Sequence, residues 1–197
     1  MPLEDPDSDE SLMVAYVAGD RRAFERLFAR IAPKIHAFFR RAFRDEMVAD
    51  ELMQITFLNV HRARASYRPE LPLRPWLFTI AAHVRRDEWR KRYRLAEDAG
   101  EDALAAAEQS RAVAAAEQRD AAEDRAAVVR RALDSLSEIQ RVILQLHRYE
   151  GMTYAEIAQT LGSTPGAVRQ HAFRAYEDLR TRLGDMLRDP PAAGGPP

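Results

Sequence analysis

Apolar residues recur along this chain at spacings of three and four, the pattern of helices with one buried face. Phe24, Leu27, Phe28, Ile31 and Ile35 follow it, and Asp20, just after Gly19, stands where a helix N-cap belongs. Pro33 predicts a break or kink, because proline removes a backbone donor and crowds the preceding turn. A second stripe then runs through Ile35, Phe38, Phe39 and Ala42. A third helix is predicted through Val48, Leu52, Ile55 and Asn59, with Phe57 and Leu58 widening its apolar face. Pro69 and Pro72 mark a loop, and Pro75 fits the first position of a fourth helix carrying Trp76, Leu77, Ile80, Ala81 and Val84. No strand-like alternation competes. The pattern predicts one helical domain over residues 11–94.

Residues 95–127 break the pattern. Fourteen of these 33 residues are Ala, and the larger aliphatics are only Leu95, Leu104 and Val113. Ala and Glu favour helix, but a helix without an apolar stripe has nothing to bury. This segment is expected to be an acidic, partly helical linker. A second domain is expected over 128–185, beginning with Val129, Ala132, Leu133 and Leu136 on one face. Ser137 to Gln140 spells an S-x-x-Q capping box before Ile139, Val142, Ile143 and Leu146. Gly151 ends that helix, and Thr153 with Glu156 opens a short one holding Ile157, Ala158 and Leu161. Thr164 is the predicted N-cap of the last helix and Pro165 its first residue, with Val168, Ala172, Ala175, Leu179 and Leu183 inward. The Pro- and Gly-rich residues 186–197 read as a disordered tail. The expected fold class is therefore all-α, two small helical domains joined by an acidic Ala-rich linker.

Composition narrows the function. The chain has 197 residues, no Cys and a formal charge of −1. A disulfide scaffold, a thiolate zinc site, an iron–sulfur cluster and a thiol nucleophile are excluded. No long apolar run predicts a membrane span, and the acidic start is wrong for a signal peptide, so a soluble cytoplasmic protein is expected. The near-neutral total hides a segregation. Residues 1–10 carry five acids and no base; residues 62–94 carry ten Arg or Lys against three acids, a net of +7; residues 95–127 carry a net of −6. Such blocks suit one surface made for a polyanion and another that repels it, although Arg-rich helices can also be simply solvated. Five scattered His form no H-E-x-x-H, and there is neither a P-loop nor a G-x-S-x-G, so no enzyme, metal or cofactor is expected.

The short capped helix, Gly-containing turn and longer helix near the C-terminus make a helix-turn-helix, whose second helix enters the major groove of DNA. With Val168, Ala172 and Ala175 inward, the outward residues are Arg169, Gln170, His171, Phe173 and Arg174. Arg bonds guanine bidentately and Gln bonds adenine, so this face carries reading chemistry.

At this point the residues become specific. Leu133-Asp134-Ser135-Leu136, Arg141-Val142-Ile143-Leu144, Tyr149 through Ala158, Leu161 through Arg169, and Arg174-Ala175 resemble region 4 of bacterial RNA polymerase sigma factors, in the small extracytoplasmic-function (ECF) group. Gly19-Asp20, Ala23-Phe24, Ala49 through Phe57, Pro75-Trp76-Leu77 and Ile80-Ala81 resemble region 2 of the same group.

The resemblance implies a division of labour: region 2 docks on core polymerase and melts the −10 element, and region 4 reads the −35 element as duplex. Partners implied are core RNA polymerase (β′ clamp and β flap), promoter DNA in duplex and single-stranded form, and an anti-sigma factor. Asp50, Glu51, Gln54 and Phe57 fall at the polymerase contact, Phe57 being open to a core role as well. Arg74, His83, Arg86, Asp87, Trp89 and Arg90 fall at the −10 site. Thr164, Arg169, Gln170, His171 and Arg174 fall at the −35 site. Trp89 and Tyr93, four residues apart, are suited to surface duty beside the bases, whereas Trp76 starts the apolar stripe and reads as core. One departure stands out: His83 occupies the position where the family usually carries Asn, leaving base reading or a phosphate or solvent contact open. Loop residues 67–74 are the other specificity candidate. A dimeric regulator reading a palindrome is the rival reading.

Overall fold

Helices form every regular element among the residues described by this computed structural model, which are Asp5, 7–98 and 121–188. They are α1 (Asp9–Val17), α2 (Arg21–Phe43), α3 (Glu46–Ala63), a 3-10 turn (Arg64–Ser66), α4 (Leu73–Asp98), α5 (Ala121–Asp134), α6 (Glu138–Arg148), α7 (Tyr154–Leu161) and α8 (Pro165–Arg188). The all-α expectation holds. Residues 99–120 of the acidic linker and 189–197 of the tail lie outside the described residues; the flanking stretches of both segments are helical. By its internal contacts the chain divides into two units, Met1–Arg92 with Ala155–Ser163 and Tyr93–Tyr154 with Thr164–Pro197.

In the first unit, α1 was not foreseen. Its origin is nonetheless local: Ser8 Oγ accepts from the Ser11 amide at 3.1 Å, and Asp9 and Glu10 in the first turn complement the positive end of the helix. Leu12, Met13 and Tyr16 are its buried face. Part of the acidic N-terminus is paired, since Asp7 meets Arg26 and Arg30 of α2.

Helix α2 runs as one helix through Pro33, so of the predicted break or kink the break does not occur. Pro33 is exposed, whereas Ile31, Ile35, Phe38 and Phe39 lie along one buried stripe on both sides of it. An interior proline costs roughly 3 kcal/mol. Burial of each large apolar side chain returns about 1.5–3 kcal/mol, so a continuous stripe outweighs it. Asp20 caps the helix as expected, accepting from Arg22 and Ala23 amides at 2.8 and 3.2 Å.

The face of α3 is turned by about one residue from its predicted orientation. Ala49, Leu52, Thr56, Phe57 and Val60 are buried, while Leu58 is 55% exposed. Helix α4 starts two residues before Pro75, which still falls in the first turn, where backbone N–H groups have no partner within the helix. Leu73, Leu77, Phe78 and Ala81 are buried, and Phe38 meets the Phe78 ring edge-on at 5.6 Å.

The second unit carries the expected S-x-x-Q box: Ser137 and Gln140 satisfy each other's backbone at the start of α6. Leu136, Leu144 and Ala175 form one buried cluster of its core, with Leu133 and Leu179 packed against them. Val129 and Ile139, assigned inward by periodicity, are instead 44% and 38% exposed. Ala132 and Val142 of the same predicted stripes are buried as expected.

Candidate nucleic-acid interface

Three exposed helix faces carry the residues singled out in the sequence. On α3, Asp50, Glu51 and Gln54 are all exposed on the side away from Ala49, Leu52 and Val60. Met47 (83% exposed) and Leu58 were not anticipated here, yet with Glu51 and Gln54 they fall at i, i+4, i+7 and i+11 on one face. An acidic and amide centre is thus flanked by two apolar residues. His36 of α2 joins this edge, with Nε2 at 3.4 Å from both Glu46 Oε1 and Asp50 Oδ1. Phe57 does not belong to the surface. It is 6% exposed, with its ring 4.6 Å from Phe28 and 6.4 Å from Phe24. Its place is inside, holding α3 against α2.

On α4, His83, Arg86, Asp87 and Arg90 are exposed at i, i+3, i+4 and i+7, and so share one face. Asp87 and Arg90 are 4.0 Å apart. Both are largely solvated, so the pair contributes little to stability. Arg74, at the start of the helix, is half-buried. Trp89 is half-buried too, tilted against Phe43 with centroids 5.6 Å apart, and the Arg92 guanidinium covers the Phe43 ring at 4.7 Å. Trp89 is therefore a shelf fixed by packing, whereas Tyr93 is 64% exposed. Trp76 rests half-buried on Tyr67 at 5.5 Å, beside the loop that Tyr67 Oη steadies by donating to the Leu71 carbonyl. One base leaves the cationic block altogether: Arg85 is 2% exposed, with its guanidinium 4.9 Å from the Phe38 centroid.

On α8, Thr164 Oγ1 accepts from the Ala167 amide at 3.2 Å, the predicted N-cap. Gly162, at φ 62°, provides the left-handed residue that ends α7. Val168, Ala172 and Ala175 are buried as expected, which leaves Arg169, Gln170 and Arg174 exposed and His171 half-buried. Phe173 is 67% exposed among them. Small inward residues and long polar outward ones make α8 a helix that can enter a groove.

Residues 27–95 match the model for Sigma-70 region 2, and residues 126–179 match that for Sigma-70, region 4. The chain belongs to the sigma-70 family. Its relatives place this sigma factor in the ECF group: it is 38% identical over 168 residues to the RNA polymerase sigma factor CarQ of Myxococcus xanthus, covering 85% of this chain and 93% of that one. It is 31% identical over 177 residues to the ECF RNA polymerase sigma factor SigM of Mycobacterium tuberculosis, covering 90% and 85%. Among solved structures, CnrH in complex with the cytosolic domain of CnrY is similar at a TM-score of 0.67 and 26% identity, covering 90% of this chain and 97% of that one. The sigma factor RpoE from Bartonella quintana, solved with the anti-sigma factor NepR, shares the fold at a TM-score of 0.63 and 22% identity, over 82% and 96%. As a sigma factor, the protein acts with core RNA polymerase in promoter-directed transcription initiation. Among the described residues no helix is long and apolar enough to cross a membrane, and no group of His, Asp and Glu is arranged to hold a metal ion.

Proposed function

We propose that this sigma factor seats its α3 face on core polymerase, opens and holds −10 DNA along α4, and reads −35 duplex with α8. Asp50, Glu51 and Gln54 supply the polar centre of the polymerase contact, meeting basic groups on the β′ clamp. Arg74, Arg86 and Arg90 track the backbone of the opened strand, Trp89 offers a ring face to a base, and His83 and Asp87 supply hydrogen-bonding groups. Arg169, Gln170, His171 and Arg174 face the duplex, while Thr164 caps and orients the helix end. The observation that carries the reading is the succession on one chain of an exposed acidic face, an exposed cationic face and a capped helix-turn-helix.

The near-neutral charge supports a reader that works only on polymerase. Joining two weak readers on one platform raises the effective concentration of the second once the first is engaged. We place the protein in the cytoplasm, acting without catalysis of its own, the nucleotide chemistry belonging to the polymerase. The complexes of CnrH with CnrY and of RpoE with the anti-sigma factor NepR support control by an anti-sigma factor. Run-off transcription from a randomised promoter library tests the proposal. Core enzyme plus this chain is expected to yield a defined promoter class, and the Arg169→Ala, Gln170→Ala double variant to lose −35 selectivity. Transcripts with no shared promoter sequence would overturn it.

A further inference from the structure

His83 carries chemistry that its neighbours do not explain. It is exposed on α4, and its Nδ1 lies 2.7 Å from the carbonyl oxygen of Thr79, one turn back. A carbonyl only accepts, so Nδ1 holds the proton and donates. In the neutral ring the remaining nitrogen, Nε2, is then an acceptor and nothing else. The backbone thus fixes both the tautomer and the ring. Arg86 and Arg90, one and two turns further along the same face, suit phosphates to one side of whatever Nε2 meets.

We infer that His83 selects adenine or cytosine on the opened −10 strand by accepting at Nε2 the exocyclic N–H of adenine N6 or cytosine N4, the corner where guanine and thymine carry a keto oxygen, an inference that rests on the function proposed above. Adenine N6 and cytosine N4 present an N–H to such an acceptor. Thymine O4 and guanine O6 place a lone pair at the same corner, where it meets the lone pair of Nε2. An amide side chain carries both a donor and an acceptor at its tip and accommodates either. The back-bonded imidazole narrows that choice to one sign.

The test uses the holoenzyme at pH 8. The template is a promoter recovered from the library, with each non-template −10 base varied in turn. Wild type is expected to prefer A or C over T or G by about tenfold at one position, the size of one good base contact. Replacing that base by its analogue lacking the amine, purine for adenine or pyrimidin-2-one for cytosine, should lose the preference. His83→Ala should flatten it, and His83→Asn should admit the keto bases. Unchanged base ranking with His83→Ala, or full activity of the amine-free analogue, would overturn the inference while leaving the sigma reading standing. Absence of any promoter-specific transcript with wild type would overturn both.

Discussion

The Glu10 carboxylate accepts a hydrogen bond from the backbone N–H of Leu73 at 3.0 Å, joining residues 63 positions apart. Leu73 is the first residue of α4, and its N–H has no partner within the helix. An acid from α1 thus does for α4 what an N-cap does locally, and its charge complements the helix end. Glu10→Ala is expected to cost about 1 kcal/mol, with Glu10→Gln retaining most of the bond. Urea denaturation measures this as a lower midpoint with an unchanged slope.

Phe57 and Gln54 are separable. Phe57→Ala removes a ring from the α2–α3 core and is expected to destabilise by about 3–5 kcal/mol. Gln54→Ala, at an exposed site, should leave thermal stability within about 0.5 kcal/mol of wild type. Its effect belongs instead to polymerase binding, expected to weaken about tenfold in a titration against core enzyme.

Thr164 acts first on its own helix. Thr164→Ala is expected to lose about 1 kcal/mol through the missing cap, and Thr164→Ser to keep it, because both hydroxyls accept from the Ala167 amide. A −35 binding defect that Thr164→Ser rescues would assign its role to helix geometry; one it does not rescue would assign it to the methyl group.

Tyr16 provides the pH test. Its hydroxyl is 2.5 Å from His61 Nδ1, and burial pushes the phenol above its ordinary value of 10.0, partly offset by the charge of Arg64. A raised folded value means that the unfolded chain loses this proton first. The contribution of Tyr16 is therefore complete below pH 10 and is lost as pH rises through the folded value. Between pH 9 and 11 the urea midpoint of wild type should fall more steeply than that of Tyr16→Phe; equal slopes would contradict the assignment.

Caps, turns and the α8 interior were legible because they depend on neighbours a few residues away: Asp20, the Ser137–Gln140 box, Thr164 and the Val168, Ala172, Ala175 stripe need only local chain. What escaped depends on distant partners. The run through Pro33 is decided by the buried stripe it serves, the rotation of α3 by which side meets α2, and the docking of α1 by a polar strap from Asp7 and Glu10 that no apolar period announces. The same holds at the interface. The exposed face containing Asp50, Glu51 and Gln54 could be read from motif, but Phe57 turns inward to meet Phe28, Arg85 inward onto Phe38, and Trp89 half inward onto Phe43. Each is a packing outcome that composition and spacing leave open.

Co-elution of the purified chain with core RNA polymerase tests the central claim most directly, read beside its affinity for promoter duplex alone. The account predicts a stable complex with core enzyme, weakened by charge reversal at Asp50 and Glu51, and poor sequence-specific DNA binding until core enzyme is present. Failure to associate with the polymerase, together with tight specific binding of a duplex by the isolated chain, would contradict it.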